Sequence, residues 1–232
     1  MIVGNGMMAK AMRDIDRDDI VFFCSGVSNS SELDEIAFKR EYDLLLEHVT
    51  LKKKLIYFSS YFVNFDEYHQ KKYYKHKFQI EQFIQSTFTN YTIYRLPQVV
   101  GFSHNPHTLT NFIYNSIVES KAIPVFKNSK RNIIDIRCIK RVVKLANDEN
   151  LFHNQIVNLV AAINFDIEDI IQAFEAISEK KAEKYFVETQ EHEFPILLEE
   201  KMKTIYKKLG IVFNDDYLET LIKNYYERKH VG

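Results

Sequence analysis

The stretch Ile20-Val21-Phe22-Phe23-Cys24-Ser25 is apolar almost throughout, without the alternation of a strand that wets one face. Such a strand is buried on both sides, as in a parallel sheet covered by helices. Residues 54–59 and 91–96 read as further strands, and helical patterns fill the intervals. Phe38, Tyr42, Leu45, Leu46 and Val49 recur at helical spacing in a stretch that begins at Ser31 or Glu32 and runs to about residue 51. Residues 7–12, 73–85 and 108–119 also read as helices, and residues 1–3 as a very short first strand. Strand and helix in alternation predict an α/β fold with a doubly wound, mostly parallel sheet.

Beyond about residue 120 the pattern is less regular. Residues 132–136, 155–161 and 185–188 read as strands, and residues 166–178 as a helix capped by Asp166. Helical stretches follow at about 197–209 and 215–229. The chain shows no repeat or long flexible linker. We therefore expect a core over residues 1–120, with residues 121–232 forming a small α+β lobe packed on it as one compact unit.

Composition narrows the function. With 31 basic and 32 acidic residues the formal charge is −1, which gives no support for nucleic-acid binding. Cys24 and Cys138 are the two cysteines of 232 residues, neither a disulfide framework nor a metal-binding spacing. No apolar run approaches the roughly 20 residues of a membrane helix, and the start lacks a signal peptide's pattern. The expectation is a cytoplasmic protein with no metal and no membrane attachment.

Two motifs carry chemistry. Gly4-x-Gly6-x-x-Ala9 lies between a strand and a helix, as a dinucleotide fingerprint requires: glycines permit a tight turn and close approach of a pyrophosphate to helix-start amides. An ordinary glycine turn is the other reading. In Tyr73-Tyr74-Lys75-His76-Lys77, Tyr73 and Lys77 are four apart and share a helix face. A cation beside a phenol lowers its pKa and suits it to move a proton at an alcohol or ketone oxygen. A solvated charged face is the alternative, since Tyr68 and Lys72 repeat the spacing. Cys24 reads as a core filler at its strand end.

With its surroundings, the second motif resembles the extended short-chain dehydrogenase/reductase family of NAD-dependent sugar-nucleotide epimerases, dehydratases and reductases. Tyr73-Tyr74-Lys75-His76-Lys77-Phe78-x-x-Glu81 resembles its Tyr-x-x-x-Lys helix, and Leu55-Ile56-Tyr57-Phe58-Ser59-Ser60 its serine strand. Arg95-Leu96-Pro97-Gln98-Val99-Val100-Gly101 resembles its Arg-x-x-x-Val-x-Gly segment. Residues 20–28 resemble the strand and loop beside the nicotinamide, and residues 131–139 the stretch closing over a nucleotide sugar. The likeness runs from Met1 to about Ser178 and implies a Rossmann-like sheet.

It also implies roles. Tyr73 is the acid/base. Lys77 holds the nicotinamide ribose and depresses the Tyr73 pKa. Ser60 polarises the substrate oxygen. Gly4, Gly6, Met7, Met8, Ser25 and Gly26 meet NAD or NADP, and Arg131 the phosphates of a nucleotide-linked sugar; a surface arginine is the other reading. His104 and His107 read as loop residues near the substrate entry. Helices at about 35–50 and 73–85 are the candidate surface for a homodimer.

The chain departs from the family in three ways. The usual second and third strands are missing, so the first strand becomes a sheet edge. No acid stands about 20 residues after the glycines, where the adenosine ribose is normally held; Phe23-Cys24-Ser25-Gly26 occupies that place. Cofactor binding is then weak or incomplete. The loop from Ser60 to Tyr73 is short. Tyr61-Phe62 replaces the dehydratases' Asp-Glu pair, which leaves hydride transfer, as in a ketoreductase or epimerase, rather than elimination. A non-catalytic descendant that binds a sugar nucleotide or a protein is the reading from another class.

Overall fold

The computed structural model describes residues 1–188 and 194–227. The strands are β1 (Ile2–Val3), β2 (Ile20–Phe23), β3 (Lys54–Ser60), β4 (Tyr91–Leu96), β5 (Gln98–Val100), β6 (Ile123–Phe126), β7 (Lys130–Asp135), β8 (Gln155–Asn158), β9 (Asn164–Asp166) and β10 (Lys184–Val187). The helices are α1 (Met7–Met12), α2 (Glu35–Leu46), α3 (Lys72–Thr87), α4 (Leu109–Val118), α5 (Ile136–Asp148), α6 (Ile167–Ser178), α7 (Glu200–Leu209) and α8 (Tyr217–Tyr226). The expected end of the last helix, at 229, lies outside the described residues. Two compact units interleave along the chain: Met1–Pro97 with Ile136–Leu159, and Gln98–Asp135 with Val160–Gly232. Residue 120 therefore falls inside a continuous stretch of the second unit.

The first unit holds a parallel sheet in the order β1-β2-β3-β4-β8. β1 pairs only with β2, so it is the edge that the missing strands imply. Odd-numbered residues of the strands, Val21, Phe23, Leu55, Tyr57 and Ile93, pack against Leu45 of α2 and Ile80 and Ile84 of α3. The opposite face belongs to α1 and α5. These helices touch each other, and Lys54 reaches Asn147 of α5 at 3.1 Å. Helices thus cover both faces, as expected.

The strand order never reverses, yet α1 and α2 leave neighbouring strands toward opposite faces. Two crossovers that step the same way across a sheet over opposite faces have opposite hands. With β2–α2–β3 right-handed, as nearly all such units are, β1–α1–β2 is left-handed. The divergence opens a crevice at the carboxyl ends of β1 and β2, the kind of place where open α/β sheets take ligands.

The second unit is α+β. β5 and β7 pair in parallel, β7 and β9 antiparallel, and β6 with β10 in parallel. α6 packs on α4 and α8, with Phe174 ring centroids 4.9 Å from Tyr226 and 6.2 Å from Tyr114. Asp166 occupies the α6 cap position, but its side chain makes no capping hydrogen bond. No helix among the described residues is long and apolar enough to cross a membrane.

Candidate active site

The two glycines of the first motif differ in what they do. Gly4 has φ +115°, and a Cβ there would lie 2.8 Å from the Cys24 carbonyl oxygen. Only glycine tolerates both the dihedral and the approach, so Gly4 lets β1 close against β2, where the Cys24 amide donates to the Val3 carbonyl at 2.8 Å. Gly6 has an ordinary φ of −72° as the cap of α1, and a Cβ there would meet nothing within 4 Å. It leaves open space above the amides of Met7 and Met8, which are half-buried. α1 has only six residues, so individual amides outweigh any macrodipole at this point. Ser25 and Gly26 follow β2 on the facing side of the crevice. Burial pushes the Cys24 thiol up to about 12, which removes it as a nucleophile at neutral pH.

Below Gly26 lies a buried polar cluster. Glu41 of α2 is fully buried. Its Oε1 accepts from the Tyr57 hydroxyl at 2.6 Å and from Lys77 Nζ at 2.9 Å. Its Oε2 accepts from the Val27 amide at 2.7 Å and is 3.0 Å from His76 Nε2. Lys77, 2% exposed, also donates to the Tyr57 hydroxyl at 3.0 Å. Burial alone would raise the Glu41 pKa. The Lys77 charge, with hydrogen bonds from His76, Tyr57 and Lys77, reverses this and holds the carboxyl well below its ordinary range. A Cβ on Gly26 would stand 2.6 Å from Lys77 Nζ and 2.8 Å from Glu41 Oε1, so glycine is what admits the pair there.

Tyr73 and Lys77 do share a face of α3, and Nζ lies 5.8 Å from the Tyr73 ring centroid. The expected acidification of the phenol does not follow. Desolvation, and secondarily the Glu41 charge, push the Tyr73 pKa above its ordinary value. Lys77, already paired with a buried carboxylate, does not offset this. The Tyr57 phenol is likewise raised, by burial first and Glu41 second.

Ser60 ends β3, buried, and its hydroxyl does not cap the 3-10 turn that follows. Ser59 points to the sheet face that carries Tyr57, and its Oγ is buried without a hydrogen-bond partner. The turn after Ser60 is pinned from below. Arg95 of β4 grips Glu81 of α3 through Nε and Nη2, and its Nη1 donates to Asn64 at 2.6 Å. Asn64 in turn donates to the Tyr61 carbonyl and to Asn158. The arginine of one family-like segment and the trailing glutamate of another thus form one bidentate pair that fixes the strand end against the helix.

Arg131 belongs to the second unit, on β7, where its guanidinium donates to the Lys130 carbonyl at 3.0 Å. His104 and His107 are exposed residues of the same unit. Among the described residues no group of three His, Cys, Asp or Glu could hold a metal ion. Glu41, Tyr57, His76 and Ser59 were not singled out from sequence. For Glu41 the signal exists: it falls between Phe38 and Leu45 on the apolar stripe of α2, where a carboxylate needs a buried partner.

No family model matches the chain, and no curated protein sequence matches it. Solved structures do. A dTDP-4-dehydrorhamnose reductase from Clostridium acetobutylicum is 16% identical with a TM-score of 0.72, over 96% of this chain and 98% of that one. A UDP-glucuronic acid 4-epimerase from Bacillus cereus, in complex with UDP-glucuronic acid and NAD, is 18% identical with a TM-score of 0.67, over 97% and 79%. A UDP-glucose 4-epimerase from Thermotoga maritima, with UDP-glucose, is 15% identical with a TM-score of 0.69, over 97% and 82%. The chain shares the fold of these sugar-nucleotide enzymes.

Proposed function

We propose that the protein is a nicotinamide-dependent reductase of a keto-sugar carried on a nucleotide, with Tyr73 as the proton donor. The observation that carries this reading is the pairing of Lys77 with Glu41 at 2.9 Å, with Nζ 5.8 Å from the Tyr73 ring centroid. With the ammonium so engaged, the phenol is not drawn below the ordinary tyrosine value of about 10 and is protonated at neutral pH. A protonated phenol gives a proton to a carbonyl oxygen as hydride arrives at carbon. An epimerase opens with oxidation of an alcohol and needs the deprotonated form first.

The residues present suit the pyrophosphate and nicotinamide portion of a dinucleotide. Gly6 is open above, and Gly4 closes the crevice. The carboxylate for the adenosine ribose is missing, which supports weak binding. Bound NAD(P)H would supply the hydride. Ser60 and Tyr73 donate hydrogen bonds to the oxygen where negative charge develops. Lys77, held by Glu41 and Tyr57, supports the crevice from beneath Gly26. Self-association would use α2, where Ile36, Tyr42 and Leu46 are exposed, together with α3.

The test is NAD(P)H oxidation with nucleotide-linked keto-sugars. Tyr73→Phe should lose at least about 100-fold in kcat while retaining fold and substrate binding. The edge position of β1 and the missing carboxylate favour the second reading, a binding protein without turnover. Under that reading wild type and Tyr73→Phe bind alike and neither oxidises NAD(P)H.

A further inference from the structure

Glu41 comes from a different element than the Tyr73–Lys77 helix turn, and its place does not depend on the lysine. The Val27 amide, the Tyr57 hydroxyl and His76 hold three of its four contacts. Of the three Lys77 protons, one goes to Glu41 and one to Tyr57. Lys77 Nζ and the Glu41 Oε1 that accepts from it sit under Gly26, in a space that a single methyl group would fill. The ammonium thus serves an internal carboxylate and lies near the face of the Tyr73 ring. The titratable groups facing Tyr73 are Glu41 from α2, Tyr57 from β3, and Lys77 and Tyr74 from α3 itself.

We propose that Glu41 is a positioning residue that cancels the Lys77 charge and so keeps Tyr73 a proton donor, fixing the direction in which the site begins turnover. This rests on the reading of Tyr73 as the acid. Without Glu41 the same helix turn would present an uncompensated ammonium, and the phenol would ionise more readily.

The test is spectroscopic titration of phenolate absorbance. Wild type is compared with Tyr73→Phe, and Glu41→Gln with Glu41→Gln/Tyr73→Phe, so that each difference isolates one phenol. In wild type the Tyr73 phenolate should form above about pH 10, the value of a free tyrosine. In Glu41→Gln it should form at least about one unit lower. A purely structural role for Glu41 would lower stability and leave the midpoint in place, and an unchanged midpoint overturns the proposal. Should Glu41→Gln fail to fold, Glu41→Asp, whose shorter side chain draws the carboxylate away from Lys77, decides: a Tyr73 midpoint below that of wild type upholds the proposal, and an unchanged midpoint overturns it. Absence of turnover with every keto-sugar counts against the proposed function and leaves the titration result standing.

Discussion

Removing Lys77 by Lys77→Met would leave a fully buried carboxylate without a counter-charge. At 2.9 Å and an effective dielectric of about 20, the attraction lost is roughly 6 kcal/mol. Relief of the lysine's own desolvation offsets much of this. Breaking a buried pair from one side costs about 3–5 kcal/mol. Three donors stay on Glu41, so Lys77→Met belongs at the lower end, about 3 kcal/mol. Glu41→Gln belongs at the upper end. It leaves the ammonium without a counter-charge, and its amide NH2 must face the Val27 N–H on one side or the Lys77 ammonium on the other, donor against donor. The double variant removes both charges and should cost about 2 kcal/mol against a sum of about 8 for the two singles, a coupling of about 6 kcal/mol. Hydrogen exchange at β3 amides reads the unit that holds the pair, whatever the second unit does. Effects that add to within about 0.5 kcal/mol would refute the claim that the two charges hold each other.

Two further predictions follow from the same geometry. Glu41 has a lowered folded-state pKa, so its contribution is complete above the unfolded value of about 4.3 and is lost as pH falls through the folded one. Acid unfolding curves should therefore be shallower below about pH 4 for Glu41→Gln than for wild type, and equal slopes would contradict the assignment. The paired glycines should separate cleanly in thermal melts. Gly4→Ala, strained in φ and in contact with backbone, should cost about 3 kcal/mol. Gly6→Ala, with open space and an ordinary φ, should stay within about 0.5 kcal/mol of wild type.

Where local pattern and tertiary environment agree, the fold can be read from the chain. Ile20–Phe23 has no polar face to offer water, and Met7–Met12 follows its glycines directly. α5 is where the reading fails, although Ile136, Ile139, Val142, Val143 and Ala146 are all buried at helical spacing. β7 ends at Asp135 and α5 begins at the next residue, with no intervening turn to mark a change of period. That junction is also where the chain passes from one unit to the other. The Tyr73–Lys77 spacing was legible because it is local. The sense of its electrostatics was not, because the deciding carboxylate comes from a helix 36 residues earlier in the chain.

Calorimetric titration of the reduced and oxidised dinucleotides onto wild type and Gly6→Leu tests the core claim most directly. A Cβ at Gly6 meets nothing within 4 Å, and the longer side chain projects where the pyrophosphate would approach. The account predicts measurable wild-type binding, tighter than about 1 mM, reduced at least about tenfold in Gly6→Leu with an unchanged melting temperature. Equal binding by both proteins, or none by wild type, would contradict a dinucleotide site at the β1–β2 crevice.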